Sequence, residues 1–219
     1  MGSNEEIQVL RFVSHSRRAL SIANSHGWMP GARYTNLRDV RTFDEIGFLD
    51  IDWRNYDFAL HLEAAAQIQP IMTVARDVEN ARDLDEILGQ ARELARFCKC
   101  VVVVPKDPCL ATILDSEIPP EYVLGYSVPT RYGGTAICPS FFRRPVHLLG
   151  GRPDVQRALA DLMPVVSLDC NRFTLDAAFG DYFDGQKFRP HPLGGYDRCL
   201  NDSIENINRL WHSYDFRID

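Results

Sequence analysis

Apolar residues fall along this chain in two alternating patterns. The first is a set of short runs, several continuously apolar and rich in Val, Ile and Leu, at residues 9–13, 46–51, 71–75, 101–104, 122–126, 146–149 and 165–168, with a weaker one at 32–34. Continuous apolar runs of this length fit parallel strands covered on both faces. The second pattern is helical. Over residues 83–98, Leu84, Ile87, Leu88, Ala91, Leu94, Ala95 and Cys98 form one stripe, with Asp85, Glu86, Arg92, Glu93 and Arg96 elsewhere. Residues 56–68, 153–163 and 203–211 read as further helices. The second of these opens on Pro153, at a favoured first-turn position. In the last, Ile204, Ile207, Leu210 and Trp211 share an inner side.

Seven or eight strands alternating with helices predict an α/β fold with a parallel sheet, here a compact (β/α)8-type barrel. No repeat, low-complexity tract or linker divides the sequence, so residues 1–219 read as one barrel-like domain. The longest irregular stretches, 106–121 and 184–196, are candidate active-site loops.

Composition narrows the picture. No apolar run approaches the roughly 20 residues that span a bilayer. The opening residues Met1-Gly2-Ser3-Asn4-Glu5-Glu6 lack the basic start and apolar stretch of a signal peptide. Together these predict a cytoplasmic protein with no membrane partner. The six cysteines are scattered and offer no second pair at structural-zinc spacing, so no metal is expected. A net charge of −6 argues against tight non-specific binding to nucleic acid, although Arg131, Arg143, Arg144 and Arg152 near strand ends could supply a local patch.

In parallel α/β folds reactive groups gather where strands end. Those ends are polar here: Asp50-Ile51-Asp52-Trp53, Ala75-Arg76-Asp77, Pro105-Lys106-Asp107, a segment running from Gly125 through Tyr126 and Ser127 to Gly133-Gly134, then Gly150-Gly151-Arg152 and Asp169-Cys170-Asn171. A lone Asp at such a place commonly caps a helix. Several carboxylates close together split their pKa values, so that one acts as nucleophile while another handles protons. Gly150-Gly151 permits close backbone approach to a flat ring or phosphate, or simply a tight turn. His147, inside an apolar strand, reads as a packed core histidine. Lys106 is either a substrate contact or an ordinary loop lysine.

These ordered strand ends resemble the tRNA-guanine transglycosylase superfamily, and especially its short phage and bacterial relatives that insert deazaguanines into DNA. The resemblance runs roughly from Asp50 to Asn171. Phe48-Leu49-Asp50 stands where the family has a strand ending in the Asp of Asp-Ser-Gly-Gly-Phe. Thr73-Val74-Ala75-Arg76-Asp77 resembles the strand whose Asp reads the purine edge, and Leu124-Gly125-Tyr126-Ser127-Val128 the segment lying along the base. The stretch from Pro145 to Asp154 is similar to the family's Arg-Tyr-Leu-Met-Gly-Val-Gly-Thr-Pro, and Val166-Ser167-Leu168-Asp169-Cys170 to the strand carrying its nucleophile. Two features depart from the family. Ile51-Asp52-Trp53 replaces Ser-Gly-Gly-Phe, and the C-terminal zinc site is absent.

The resemblance implies exchange of guanine for a 7-deazaguanine in nucleic acid, with DNA favoured over tRNA, and needs no cofactor. Asp169 would be the nucleophile, with Asp50 or Asp52 as the second carboxylate. Asp77, Lys106, Gly125, Tyr126, Ser127, Tyr132, Gly150, Gly151 and Asn171 would contact substrate. Tyr126, Tyr132 and Trp53 are candidates to stack on a base. Two other readings stand beside it: a purine- or nucleotide-binding module without chemistry, from a phage or defence system, and a hydrolase of a nucleoside-type bond.

Overall fold

The computed structural model describes residues 9–131 and 133–214. Its first eight strands are β1 (Leu10–Val13), β2 (Met29–Arg33), β3 (Phe48–Asp50), β4 (Met72–Val74), β5 (Cys100–Val103), β6 (Val123–Ser127), β7 (Val146–Leu149) and β8 (Val165–Asp169). They pair in chain order, every pair parallel, and close into a barrel when Leu10, Arg11 and Phe12 of β1 register with Ser167, Leu168 and Asp169 of β8. The expected (β/α)8-type architecture is thus the observed one.

The connections explain how 219 residues suffice. Full helices follow only some strands: α1 (Arg17–Ser25), α2 (Phe58–Ile68), α3 (Leu84–Leu94) and α5 (Pro153–Leu159). Between β5 and β6 there are only a 3-10 turn (Pro108–Leu110) and the one-turn α4 (Leu114–Glu117), and the β2–β3 and β6–β7 links carry only short 3-10 turns. Each helix forms for a local reason. Asp57 caps α2 by accepting from the Leu60 amide at 3.1 Å, and Pro153 presets the first turn of α5. Helix α3 buries the stripe of Leu84, Ile87, Ala91 and Leu94 and turns its charges outward.

Rings from non-adjacent strands meet across the barrel interior. Phe12 of β1 stacks on Phe48 of β3, and Phe48 stacks on His147 of β7, with centroids 5.5 Å and 4.9 Å apart. The interior is therefore a packed core and not a pore, so a ligand can sit only at a mouth.

After β8 the chain adds α6 (Arg172–Ala177), an antiparallel hairpin of β9 (Asp181–Phe183) and β10 (Phe188–Pro190), and α7 (Tyr196–His212). The hairpin lies in and just before a stretch read from sequence as irregular. Its turn is held by Asp184, which accepts from the amides of Gln186 and Lys187. Helix α7 starts earlier than the pattern suggested. Its Ile204 and Ile207 are fully buried, and Leu210 packs against the same core. Asn208 of α7 accepts from Arg11 of β1 and from the Trp28 indole, and donates to the His26 carbonyl. Among the described residues no helix is long and apolar enough to cross a membrane.

Candidate active site

The C-terminal ends of β2 to β8 surround a cavity of about 500 Å³. Of the residues picked out from the sequence, it brings together Asp50, Asp77, Lys106, Ser127, Gly150, Gly151, Asp169 and Asn171, with Trp53 on its wall. The carboxylates of three different strands therefore share one mouth.

Asp169, the last residue of β8, is buried, with 7% of its surface exposed. Its Oδ1 accepts from the Gly150 amide at 2.9 Å. That amide is presented by a backbone at φ +62°, which glycine adopts without penalty. Gly151 follows at φ +92°, and a Cβ there would stand 2.5 Å from Val128 Cγ1, so Gly151 is required by close approach, whereas Gly150 is favoured by its left-handed backbone alone. Behind them Gln156, wholly buried on α5, donates from Nε2 to the carbonyls of Gly150 at 2.7 Å and Asp169 at 2.8 Å. This carboxamide ties the end of β7 to the end of β8 and sets where the Asp169 carboxylate points. Asn171 accepts from the Ser14 amide at 2.7 Å, fastening the same loop to the end of β1.

Asp50 closes β3 across the mouth. Burial, then the neighbouring Asp169 charge, push its carboxyl up to about 7. The Ile51 amide, bound at 2.8 Å, and the Arg33 charge oppose the shift, and Asp77 adds to it. Near neutral pH Asp50 is therefore poised to hold or release a proton, while Asp169 carries an amide donor suited to an anion.

The third carboxylate is paired. Lys106 Nζ lies 2.6 Å from Asp77 and 3.1 Å from Glu79. Burial raises the Asp77 carboxyl although Lys106 opposes it. Burial alone would lower the Lys106 ammonium, but Asp77 and Glu79 outweigh it and leave the group raised. Lys106 is thus a charged donor beside an acceptor, not a free amine nucleophile. Together the two present an acceptor and a donor side by side, suited to a flat heterocycle edge that carries both.

Several expected contacts fall elsewhere. Asp52 lies outside the cavity and accepts from the Arg54 amide at 3.2 Å, holding the turn after β3. Of the two, Asp50 is the one that lines the cavity with Asp169. Gly125 and Tyr126 also miss the cavity. A Cβ on Gly125 would strike Val102 and Val104, so this glycine serves interior packing. Tyr126 is buried edge-on against Phe142. Ser127, the next residue on the face opposite Tyr126, does reach the mouth. Tyr132 lies outside the described residues. Arg143 and Arg144 precede β7 and so lie at the opposite end of the barrel, with Arg144 beside Asp115. Arg152 pairs with Asp154.

Three site residues were not picked out from the sequence, among them Glu79, the second partner of Lys106. Arg33, at the end of the weakest strand, lines the cavity and an adjoining one of about 410 Å³ that also shares Asp50 and Asn171. Gln156 carried a readable signal: it is the polar member of the otherwise apolar row Pro153, Gln156, Ala160 on the inner side of α5. Among the described residues no group of three or more His, Cys, Asp or Glu is arranged to hold a metal ion.

Residues 23–212 match the model of a family of unknown function, DUF6610. The chain belongs to this family. Every cavity residue, from Arg33 to Asn171, lies inside the matched stretch, so the site belongs to the DUF6610 portion of the chain. None of the curated proteins matches the sequence. Among solved structures, the chain is similar to the YdjI aldolase from Escherichia coli K12, at 10% sequence identity and a TM-score of 0.57. That match covers 97% of this chain and 94% of the aldolase. At such identity the likeness speaks for the barrel alone.

Proposed function

We propose that this DUF6610 protein is a base-exchange enzyme that replaces guanine with a 7-deazaguanine in nucleic acid, DNA in preference to tRNA. The observation that carries the reading is the pair Asp50 and Asp169. Both line one cavity, and their surroundings differ: Asp50 is raised to about 7, and Asp169 is held by the Gly150 amide. A carboxylate pair with divided roles is what cleavage of a glycosidic bond through a covalent intermediate requires.

In this scheme the Asp169 carboxylate attacks C1′ of the nucleotide as the C1′–N bond breaks and its electrons leave with guanine. Asp50 gives its proton to the departing base. The product is a glycosyl ester on Asp169. An incoming base then attacks C1′ through its ring nitrogen and yields a proton to Asp50, and the ester C–O bond breaks to restore Asp169. The carboxylate suits a transition state of oxocarbenium character. Asp77 and Lys106 would hold the base edge, and Trp53, 57% exposed on the wall, offers a stacking surface at the rim. A base in duplex must leave its stack to enter such a mouth.

The test uses purified full chain, single-stranded and duplex DNA, tRNA, and labelled guanine or 7-deazaguanine. Wild type should incorporate label and, with a slow incoming base, leave a protein–nucleic acid adduct on a denaturing gel. Asp169→Asn should fold, bind purine and do neither. Release of free base without incorporation would make the protein a hydrolase. Binding with neither product would make it a binding module.

A further inference from the structure

Beneath Asp169, inside the barrel, lies one polar group that this scheme does not use. His147 of β7 is completely buried, its ring stacked on Phe48 and tilted against Phe12. Its Nδ1 is 2.8 Å from Ser167 Oγ. Its Nε2 has no hydrogen-bond partner and stands 3.6 Å from Asp169 Oδ1. A buried nitrogen left unpaired costs about 1–3 kcal/mol. His61, the other buried histidine among the described residues, has both nitrogens partnered, by the Tyr56 hydroxyl at 3.2 Å and Thr73 Oγ1 at 2.8 Å. The exception therefore occurs where a ring edge meets a carboxylate.

The backbone is arranged to produce this contact. Between β7 and β8, Val146 pairs with Val165 but His147 pairs with Ser167, so Val166 is an extra residue in β8. Bulges of this kind re-aim side chains and recur beside active sites. Here the bulge sets the Ser167 hydroxyl opposite the imidazole. Ser167 has one other neighbour, Met72 Sδ at 3.7 Å, a weak acceptor.

The proton position follows. Asp169 Oδ1 already accepts from the Gly150 amide, so it is an acceptor. A bare Nε2 lone pair facing it would be repelled, whereas an N–H complements it. The Ser167 hydroxyl then donates to Nδ1, which fixes that tautomer. We infer that His147 is a positioning residue, supplying from the barrel interior a second N–H to the Asp169 carboxylate, with Ser167 holding its tautomer. At 3.6 Å the contact is longer than a hydrogen bond, as contacts to catalytic groups often are before substrate binds. What the contact does for turnover rests on the base-exchange reading; the contact itself does not.

Nitrogen-15 NMR of the histidine side chains separates the two. The chain has six histidines, and the ring signals lost in His147→Gln assign the one of interest. In the free protein, Nε2 of His147 should carry a proton, and its resonance should move on Asp169→Asn. Ser167→Ala should raise the share of the Nδ1–H tautomer. An unprotonated Nε2, or one that ignores Asp169→Asn, overturns the proposal, and a tautomer indifferent to Ser167→Ala overturns the part given to Ser167. In the exchange assay, His147→Phe, if folded, should lower kcat about 10- to 100-fold, as loss of outer-shell partners does at metal sites. KM for the base should stay unchanged, and His147→Gln should restore part of the rate. A wild-type kcat in folded His147→Phe removes the catalytic role. If wild type exchanges no base at all, the reaction assigned above falls, and the spectra alone decide the position of His147.

Discussion

Replacing Asp50 by Asn removes one titration and almost no volume, so it isolates what the mouth of the barrel does to a carboxyl. In the folded protein this group titrates at about 7, against 3.8 for an unburied Asp. Each pH unit is about 1.4 kcal/mol, so the folded state disfavours the charged form by up to about 4 kcal/mol. The direction is fixed by proton linkage. Between the two values the folded protein keeps a proton that the unfolded chain has released. Wild-type stability from this group is therefore complete below about pH 4, declines as the pH rises towards 7, and is flat beyond. Asp50→Asn lacks that decline. The stability difference, variant minus wild type, should then grow by up to about 4 kcal/mol from pH 4 to 8. Partial solvation of the carboxyl and its coupling to Asp169 reduce the amount. Even about 2 kcal/mol is roughly 4–8 °C in Tm for a chain of this size. Urea and thermal unfolding of both proteins across this range, at constant ionic strength, measure it. Parallel stability curves would refute the reasoning, because Asp50 would then be solvated like any surface carboxylate and unable to hold a proton near neutrality.

Two further outcomes test the frame around the site. Gln156→Leu keeps the volume of the buried side chain but removes donors from the Gly150 and Asp169 carbonyls. It should cost about 1–3 kcal/mol for each carbonyl left unpaired, read by chemical denaturation, and a change under 0.5 kcal/mol would show that the two strand ends hold themselves. Deleting α7 from Tyr196 onward removes Ile204, Ile207 and Trp211 from the core. At about 2–5 kcal/mol for each large side chain, against a total stability of about 5–15 kcal/mol, the shortened chain should show no cooperative unfolding by circular dichroism. A retained cooperative transition would mean the barrel does not need its last helix.

The barrel strands were legible because strands covered on both faces must be apolar at nearly every position, and seven such runs plus a weak one stand out at regular intervals. Other elements were hidden for physical reasons. Helix α1 begins Arg17-Arg18 and buries only Ala19, Leu20 and Ala23, too thin a stripe to announce itself. Strands β9 and β10 are three residues each and owe their pairing to the packing of Phe183 and Phe188 with α7 close by. At the site, the sequence left Asp50 and Asp52 open because Ile51-Asp52-Trp53 stands where the resembled family has Ser-Gly-Gly-Phe. The strand stops at Asp50, and Asp52 belongs to the turn after it. Strand alternation excludes Tyr126 from a surface that includes Ser127. The unpaired edge of His147 depends on a one-residue bulge opposite it, which no local pattern reveals.

Asn208 bridges α7 to β1 and to the turn before β2 across sequence separations of 180 to 197 residues. During synthesis every barrel strand emerges before helix α7 does. Until it does, the Trp28 indole lacks its Asn208 acceptor and the face of α1 that packs on α7 is bare, and contacts of such separation are slow to form because the loop they close must be ordered first. Chains that stop short of α7 would leave this seam open, and exposed apolar surface of that kind favours aggregation.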